Sequence, residues 1–493
     1  MNKPEITTDL ERAAARLKDG GVVAFPTETV YGLGAVATER EAVEAVFQLK
    51  GRPADNPLIV HLSDISWLDQ VADDVPEEAR HLFAAFAPGP LTLVLKKKMN
   101  VPDVVTASLS TVAVRIPDHE VARDLIRLTG KPLVAPSANI SGKPSPTTAE
   151  HVQYDFAGRD LLIVDGGACR VGVESTVLDL TVSPPVILRP GVITAEDIKE
   201  KTGIVVEASE TEEARPKSPG QKYRHYSPQA TVITVLPDQS FDEVVSTLSV
   251  DDLSSIGVFA DEETLGSIKT GGLMAYSYGT SSSVDQAAKS LYAAFRYFDE
   301  HRVHFILAPL FREEGAGIAY NDRLRRAAHQ VRRVLFVCTG NTCRSPMAEG
   351  LFNAAAPAGW LASSAGIYAY GGDTAAANAV AVMRRRGIEI GAHRSVPVTW
   401  DLLKQQTLIV PLTKEHAAAL LDFDPSLKDK VRPLSAFAPD GKDIGDPFGQ
   451  TIERYEQSAE AIEAAVDVLL AKITSGFFDN TQSDETIDDN EGP

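Results

Sequence analysis

Cysteine is scarce: Cys169, Cys338 and Cys343 are the only three in 493 residues. That is too few for a disulfide scaffold and fits a reducing compartment. No apolar run approaches the ~18 residues that a membrane-spanning helix needs. The opening stretch, MNKPEITTDLERAAARLKDGG, lacks the apolar core of a signal peptide. It reads instead as an amphipathic helix, capped by Thr7 or Thr8 and ended by Gly20-Gly21. Basic residues are outnumbered, 48 against 68 acidic, for a net charge of −20. Such a chain is ill suited to wrapping nucleic acid, although a local basic cleft remains open to it. No internal repeat is present. The remaining composition, 44% hydrophobic and 24% charged, is that of an ordinary globular protein. At roughly 150 residues per domain the length allows about three domains. These features imply a cytoplasmic chain with no membrane partner.

From residue 20 to about 205, strand candidates VVAFP, PLIVHL, LTLVLK, TVAVRIP, LLIVD, STVLDL and PVILRP alternate with helical patterns such as EREAVEAVFQLK. Their close later spacing predicts a mixed α/β sheet. Residues 206–228 have no apolar periodicity and carry three prolines, which marks a linker; its second half is locally basic at Lys217, Lys222 and Arg224. Residues 229–330 resume a strand-helix rhythm, predicting a small open-sheet α/β domain without a nucleotide-binding glycine motif. A third unit opens at residue 331 with the strand RRVLFVC and runs to a helix ending near Ile473. The final stretch, 475–493, has six acidic and no basic residues and is expected to be a disordered tail.

The sharpest motif follows that third-unit strand: Cys338, Thr339, Gly340, Asn341, Thr342, Cys343, Arg344, Ser345, then Pro346 and a helix-forming run. Successive loop amides and a helix N-terminus make a concave anion site, whose field favours the thiolate of Cys338 as nucleophile. Arg344 is placed to grip two phosphoryl oxygens as a fork. Asp446, in Gly445-Asp446-Pro447-Phe448-Gly449, is a candidate general acid fixed in a turn. Cys343 is near enough to Cys338 for a reversible disulfide under oxidation.

With the SSAG run at 363–366 and His393-Arg394-Ser395, these pieces make residues 331–474 resemble the low-molecular-weight protein tyrosine phosphatases. The resemblance implies a parallel-sheet phosphatase domain, a phosphocysteine intermediate on Cys338, Arg344 as phosphate clamp and Asp446 as acid then base, with no cofactor. Thr342 and Phe448 resemble the arginine-phosphatase branch, so phosphoarginine and phosphotyrosine proteins are both candidate substrates.

The first 205 residues carry another constellation. Pro26-Thr27-Glu28-Thr29-Val30-Tyr31-Gly32-Leu33-Gly34 follows a strand, then come Lys50-Gly51-Arg52, Asn56, His61, Thr111, Arg115, Ser137-Ala138-Asn139, Ser145, Glu174-Ser175-Thr176 and Arg189. These polar and glycine clusters sit at strand ends, where open α/β folds bind ligands. Lys50 and Arg52 suit a polyphosphate, and the hydroxyl and amide groups suit a small polar substrate. Taken singly, the YGLG glycines read as turn glycines.

Together these motifs resemble the threonylcarbamoyl-adenylate synthase family. Residues 6–205 correspond to its YrdC-like mixed-sheet domain, 206–228 to a linker and active-site lid, and 229–330 to the extra domain of its long form, marked by SPGQKYRHYSP and GIAYNDRLRRAA. The resemblance implies condensation of L-threonine, bicarbonate and ATP to threonylcarbamoyl-AMP and pyrophosphate, for modification of adenosine 37 in tRNA by a downstream threonylcarbamoyl transferase machinery. By position it gives Lys50, Arg52, Ser137 and Asn139 as the catalytic and nucleotide-binding set. It puts Thr29, Tyr31, His61, Thr111, Arg115 and Ser175 around threonine. Asn56, Ser145, Arg189, Arg224, His225 and Tyr226 fall around ATP, the last three as lid residues. Magnesium is expected with the ATP, with no dedicated protein cage. The competing reading is a nucleotide- or RNA-binding module fused to an arsenate-reductase-like or regulatory phosphatase domain. The complete Lys50, Arg52, Ser137 and Asn139 set, the acidity, and the presence together of Cys338, Arg344 and Asp446 argue against it.

Overall fold

The computed structural model describes residues 3–53, 55–208, 227–237, 239–246, 248, 253–328, 332–357, 359–475 and 477. The chain divides into two compact units, Met1–Val245 with Leu253–Ala328 and Ser246–Asp252 with His329–Pro493. Lys217, Lys222 and the lid candidates Arg224, His225 and Tyr226 lie outside the described residues, as does all of the acidic tail except 475 and 477.

The first unit is built on an 11-stranded mixed sheet. Across it run Glu5–Thr7, Leu162–Val164, Val23–Phe25, Gly32–Val36, Leu133–Val134, Ile59–His61, Thr111–Arg115, Leu91–Lys96, Thr176–Asp179, Val186–Arg189 and Glu207–Ala208. The seven strands read from the sequence are all present, and four more join them. At the edge, Glu5–Thr7 pairs in parallel with Leu162–Val164, so the first helix starts later than expected. It spans Leu10–Lys18, and Asp9, not Thr7 or Thr8, caps it by accepting from Arg12 N; Gly20 follows at φ 80°. Gly32–Val36 is a buried strand, not a turn. Its glycines are needed for close packing: a Cβ on Gly32 would lie 2.9 Å from Ala135 Cβ, and one on Gly34 would lie 2.5 Å from the Phe25 ring.

Helix Arg40–Lys50 shows how the sheet positions chemistry. Val43, Val46, Phe47 and Lys50 fall at helical spacing on one buried face. Gly51, left-handed at φ 63°, then stops the helix one residue past the lysine. The apolar stripe thus ends in a cation carried into the interior beside strand ends.

A second, four-stranded parallel sheet in the same unit has the order Thr231–Val235, Phe305–Pro309, Ile256–Ala260, Met274–Ser277. Helix Val284–Glu300 buries Ala287, Leu291, Tyr292, Phe295 and Phe298. The apolar core of this smaller domain is completed by Val30 and Val173 from the first.

The second unit has a three-stranded parallel sheet with Arg332–Cys338 in the centre, flanked by Trp360–Gly366 and Leu408–Pro411. Helix Arg344–Ala355 follows the central strand directly after the loop. The long helix Ile452–Thr474 packs Tyr455, Ile462, Val466 and Leu469 into its core. Among the described residues no helix is long and apolar enough to cross a membrane.

Candidate active sites

In the first unit, Lys50 is buried, and its Nζ donates to Ser137 O, to Asn139 O at 2.7 Å and to Asn139 Oδ1 at 3.3 Å. All three acceptors are neutral amide oxygens. Burial, with the nearby Arg52 charge, pushes the ammonium well below its ordinary value. Ser137 Oγ donates to Asn139 Oδ1 at 2.6 Å, and Asn139 Nδ2 donates to Ile140 O and Lys143 O, both at 2.8 Å. Lys50, Ser137 and Asn139 are therefore one hydrogen-bonded group. Arg52 turns to the backbone oxygens of Asn56 and Pro57. The buried Asn56 side chain has no hydrogen-bond partner for either its Nδ2 or its Oδ1 among the described residues.

A second group joins the neighbouring strand ends. Arg115 sits opposite His61 on one side and Thr92 on the other. Its Nη2 lies 2.7 Å from Glu28 Oε2 in an ion pair with both side chains buried. Thr92 Oγ1 is 2.8 Å from Ser175 Oγ, and Arg189 Nη2 donates to Ser175 Oγ at 3.1 Å and to Ser175 O at 3.0 Å. Thr29 is buried with its hydroxyl 2.8 Å from Thr27 Oγ1, and Tyr31 OH donates to Gly167 O at 2.8 Å. Backbone bonds Ala138 N to Tyr31 O and Tyr31 N to Pro146 O tie the two groups together. Ser145 is fully buried and donates to Glu174 Oε1 at 2.7 Å. Thr111 is the exception. It starts the strand that Arg115 ends, about 13 Å away at roughly 3.3 Å per residue, opposite Lys96.

His61 gives a test of this packing. Its Nδ1 is 3.2 Å from Ile59 O, and burial, reinforced by Arg115, pushes the imidazole down to about 3. Such a ring stays neutral when folded but takes up a proton in the unfolded chain below its ordinary 6.5. Its contribution is therefore complete above pH 6.5 and is lost as pH falls towards 3, by about 2 kcal/mol at pH 5. The thermal midpoint of the first unit is expected to fall between pH 7 and pH 5, and His61→Asn is expected to flatten that slope. An equally steep slope in the variant would contradict the buried neutral ring.

In the second unit, the central strand delivers Cys338 to the mouth of the loop, where its Sγ is 3.0 Å from Ser345 Oγ and accepts from Asn341 N at 3.3 Å. The left-handed residue of the turn is Asn341 at φ 55°, not Gly340. Asn341 locks the loop: Nδ2 donates to Ser345 Oγ at 2.9 Å and Ser364 Oγ at 2.7 Å, and Oδ1 accepts from Val396 N at 2.8 Å. His393 Nε2 reaches Asn341 O at 2.8 Å. Gly366 lets the neighbouring strand approach, since a Cβ there would lie 2.9 Å from Asn341 N. The SSAG and His393 motifs thus support the loop from behind.

Arg344, the first residue of its helix, donates from Nη2 to Asp446 Oδ2 at 2.7 Å and to Thr339 Oγ1 at 3.3 Å. Asp446 is half exposed, and its Oδ1 accepts from Phe448 N at 3.1 Å, the turn expected around Pro447. Cys338, Thr339, Gly340, Thr342, Cys343, Arg344, Asp446 and Phe448 line one cavity of about 180 Å³. Cys343 is a free thiol, like Cys338. Its Sγ is 3.2 Å from Tyr455 OH, and burial pushes the thiol up despite that bond. His416, to which sequence reasoning gave no role, stands 2.9 Å from Thr339 Oγ1 and 2.8 Å from Thr413 Oγ1. Burial and the Arg344 charge push it down. No group of three or more His, Cys, Asp or Glu side chains able to hold a metal ion occurs among the described residues.

Comparison with known proteins follows the same division. Residues 15–191 match the Sua5/YciO/YrdC family model, described as telomere recombination. Residues 193–329 match the threonylcarbamoyl-AMP synthase C-terminal domain, and 333–476 match low molecular weight phosphotyrosine protein phosphatase. A threonylcarbamoyl-AMP synthase of Pyrococcus abyssi is 47% identical over 323 residues, covering 64% of this chain and 93% of the relative. One of Bacillus subtilis is 45% identical over 335 residues, covering 66% and 94%. The crystal structure of P. abyssi Sua5 complexed with L-threonine superposes with a TM-score of 0.61 at 42% identity, covering 66% of this chain and 97% of that one.

Proposed function

Because the chain belongs to the threonylcarbamoyl-AMP synthase family and carries a low-molecular-weight phosphatase domain, we propose that its first unit joins L-threonine, bicarbonate and ATP. The product then serves a separate tRNA-modifying machinery. The observation that carries this reading is Lys50, buried, whose Nζ donates among the described residues to neutral amide oxygens. A polyphosphate entering the strand ends favours the protonated Lys50, and Arg52 adds a second charge. The buried amide of Asn56, without a hydrogen-bond partner among the described residues, supports a ligand beside them. The chemistry is balanced as two steps. The threonine amine takes up bicarbonate to give a carbamate and water. A carbamate oxygen then attacks the α-phosphorus, and pyrophosphate leaves with its electron pair. Lys50 and Arg52 stabilise the charge that develops on the leaving group, while the Thr29, Arg115 and Ser175 side orients the amino acid. Magnesium would be carried by the triphosphate. The free thiols fit a cytosolic setting.

In the second unit we infer a phosphocysteine route. Cys338 Sγ attacks phosphorus, Asp446 protonates the departing group, and the same carboxylate then takes a proton from the water that hydrolyses the phosphocysteine. Phosphoarginine is the favoured substrate, because Thr342, whose hydroxyl suits the leaving guanidine, lines the cavity of about 180 Å³. With peptides of matched sequence, phosphoarginine is expected to be hydrolysed at least ~10-fold more efficiently than phosphotyrosine, a difference of about 1.4 kcal/mol. The opposite order would assign the site to phosphotyrosine.

A further inference from the structure

Among the described residues, the smaller domain of the first unit supplies none of the candidate synthase residues, yet its side chains hold Glu174 and Asp155 of the loops around them. Gly172, left-handed at φ 84°, rests on helix Val284–Glu300 so closely that a Cβ would lie 2.4 Å from Lys289 Cα. Two residues on, Glu174 is held from that domain by Arg323 Nε, which donates to Oε2 at 2.8 Å, and by Tyr292 OH, which donates to the same oxygen at 3.0 Å. Arg323 also donates to Pro190 O at 3.0 Å, next to Arg189. Burial pulls the Glu174 carboxyl up, but Arg323 and then Arg189 outweigh it and keep the group below its ordinary value. An ionised carboxylate accepts only, so the Ser145 hydroxyl must point its hydrogen at Oε1. One turn along the same helix, Arg296 donates to both oxygens of the buried Asp155, at 3.1 and 2.7 Å, and to Pro144 O at 2.5 Å. Residues 144 and 145 are thus gripped from both sides. This short segment follows Lys143, whose carbonyl accepts from Asn139, and Asn139 is part of the Lys50 group.

We propose that Glu174 is a positioning residue through which the smaller domain, by way of Arg323 and Tyr292, sets the affinity of the synthase site for ATP. It holds the 144–145 segment behind Asn139 and Lys50 without touching substrate. The inference rests on the synthase reading above.

The test uses the full chain and pyrophosphate release at varied ATP and varied threonine. Glu174→Gln keeps the shape and removes the charge. It is expected to raise KM for ATP about tenfold, with kcat and KM for threonine changed less than about twofold. Ser145→Ala is expected to shift KM for ATP in the same direction, and the double variant to be no worse than Glu174→Gln alone, since both break one linkage. The thermal midpoint of the first unit and phosphopeptide hydrolysis by the second serve as folding controls. An unchanged KM for ATP in Glu174→Gln would overturn the proposal, as would equal rises in KM for both substrates together with a lowered midpoint. Should Glu174→Gln fail to fold, an unchanged KM for ATP in Ser145→Ala overturns it alone. Wild-type protein with no threonine-dependent pyrophosphate release would overturn the synthase reading itself, an outcome distinct from a variant that behaves like an active wild type.

Discussion

Cys338→Ser is expected to reduce phosphate release from phosphopeptides by at least ~10⁴-fold, the scale seen when a catalytic nucleophile is removed, while threonine-dependent pyrophosphate release stays at the wild-type level. Serine preserves the size of the side chain and its neighbours, Asn341 N and Ser345 Oγ. What it loses is the sulfur: a hydroxyl in the same cradle is a far weaker nucleophile. Arg344 is untouched, so phosphate binding is expected to survive and the loss to fall on kcat. The synthase is spared because its candidate residues belong to the other compact unit. Measuring both activities on one preparation checks this, and residual hydrolysis within about tenfold of wild type would move the nucleophile elsewhere.

Lys50→Ala is expected to have the converse outcome, a fall of about 10²- to 10³-fold in synthase kcat/KM, comparable to losing one charge-stabilising donor, with phosphopeptide hydrolysis unchanged. The truncation leaves Ser137 O and Asn139 O without the Lys50 donor and removes a cation buried beside them. Arg52 cannot take its place, because its guanidinium is turned to the backbone of Asn56 and Pro57. Kinetics at saturating threonine check it, and an ATP dependence unchanged from wild type would contradict a role for Lys50 at the triphosphate.

How much of this was legible beforehand follows from the range of the interactions. The Cys338 loop was readable because its parts are contiguous: a strand, a short anion-binding turn and a helix whose first residue is Arg344. Lys50 was readable as a candidate from its motif, and the structure adds that it closes the apolar stripe of helix Arg40–Lys50. Gly32 and Gly34 misled, because a glycine that permits close packing looks in sequence like one that permits a turn. The edge strand Glu5–Thr7 was missed since its partner, Leu162–Val164, is 157 residues away and three residues carry no period. Asp446 was placed by its turn, but its 2.7 Å contact with Arg344 spans 102 residues and has no local signature. The same holds for Glu174 with Arg323, 149 apart. Arg323 lies within the GIAYNDRLRRAA stretch, yet nothing in that stretch announces a buried carboxylate as its partner. Thr111 was put around threonine by resemblance alone, and the extended backbone sets it at the opposite end of its strand from Arg115.

A synthase and a binding module differ in what the first unit does to ATP. The direct measurement is pyrophosphate release from ATP by the full chain, with threonine and bicarbonate each omitted in turn. Release that requires both, and that collapses in Lys50→Ala while Cys338→Ser retains it, is the predicted result. ATP cleavage indifferent to threonine or to bicarbonate, or none at all in a folded protein with an active phosphatase, would contradict it.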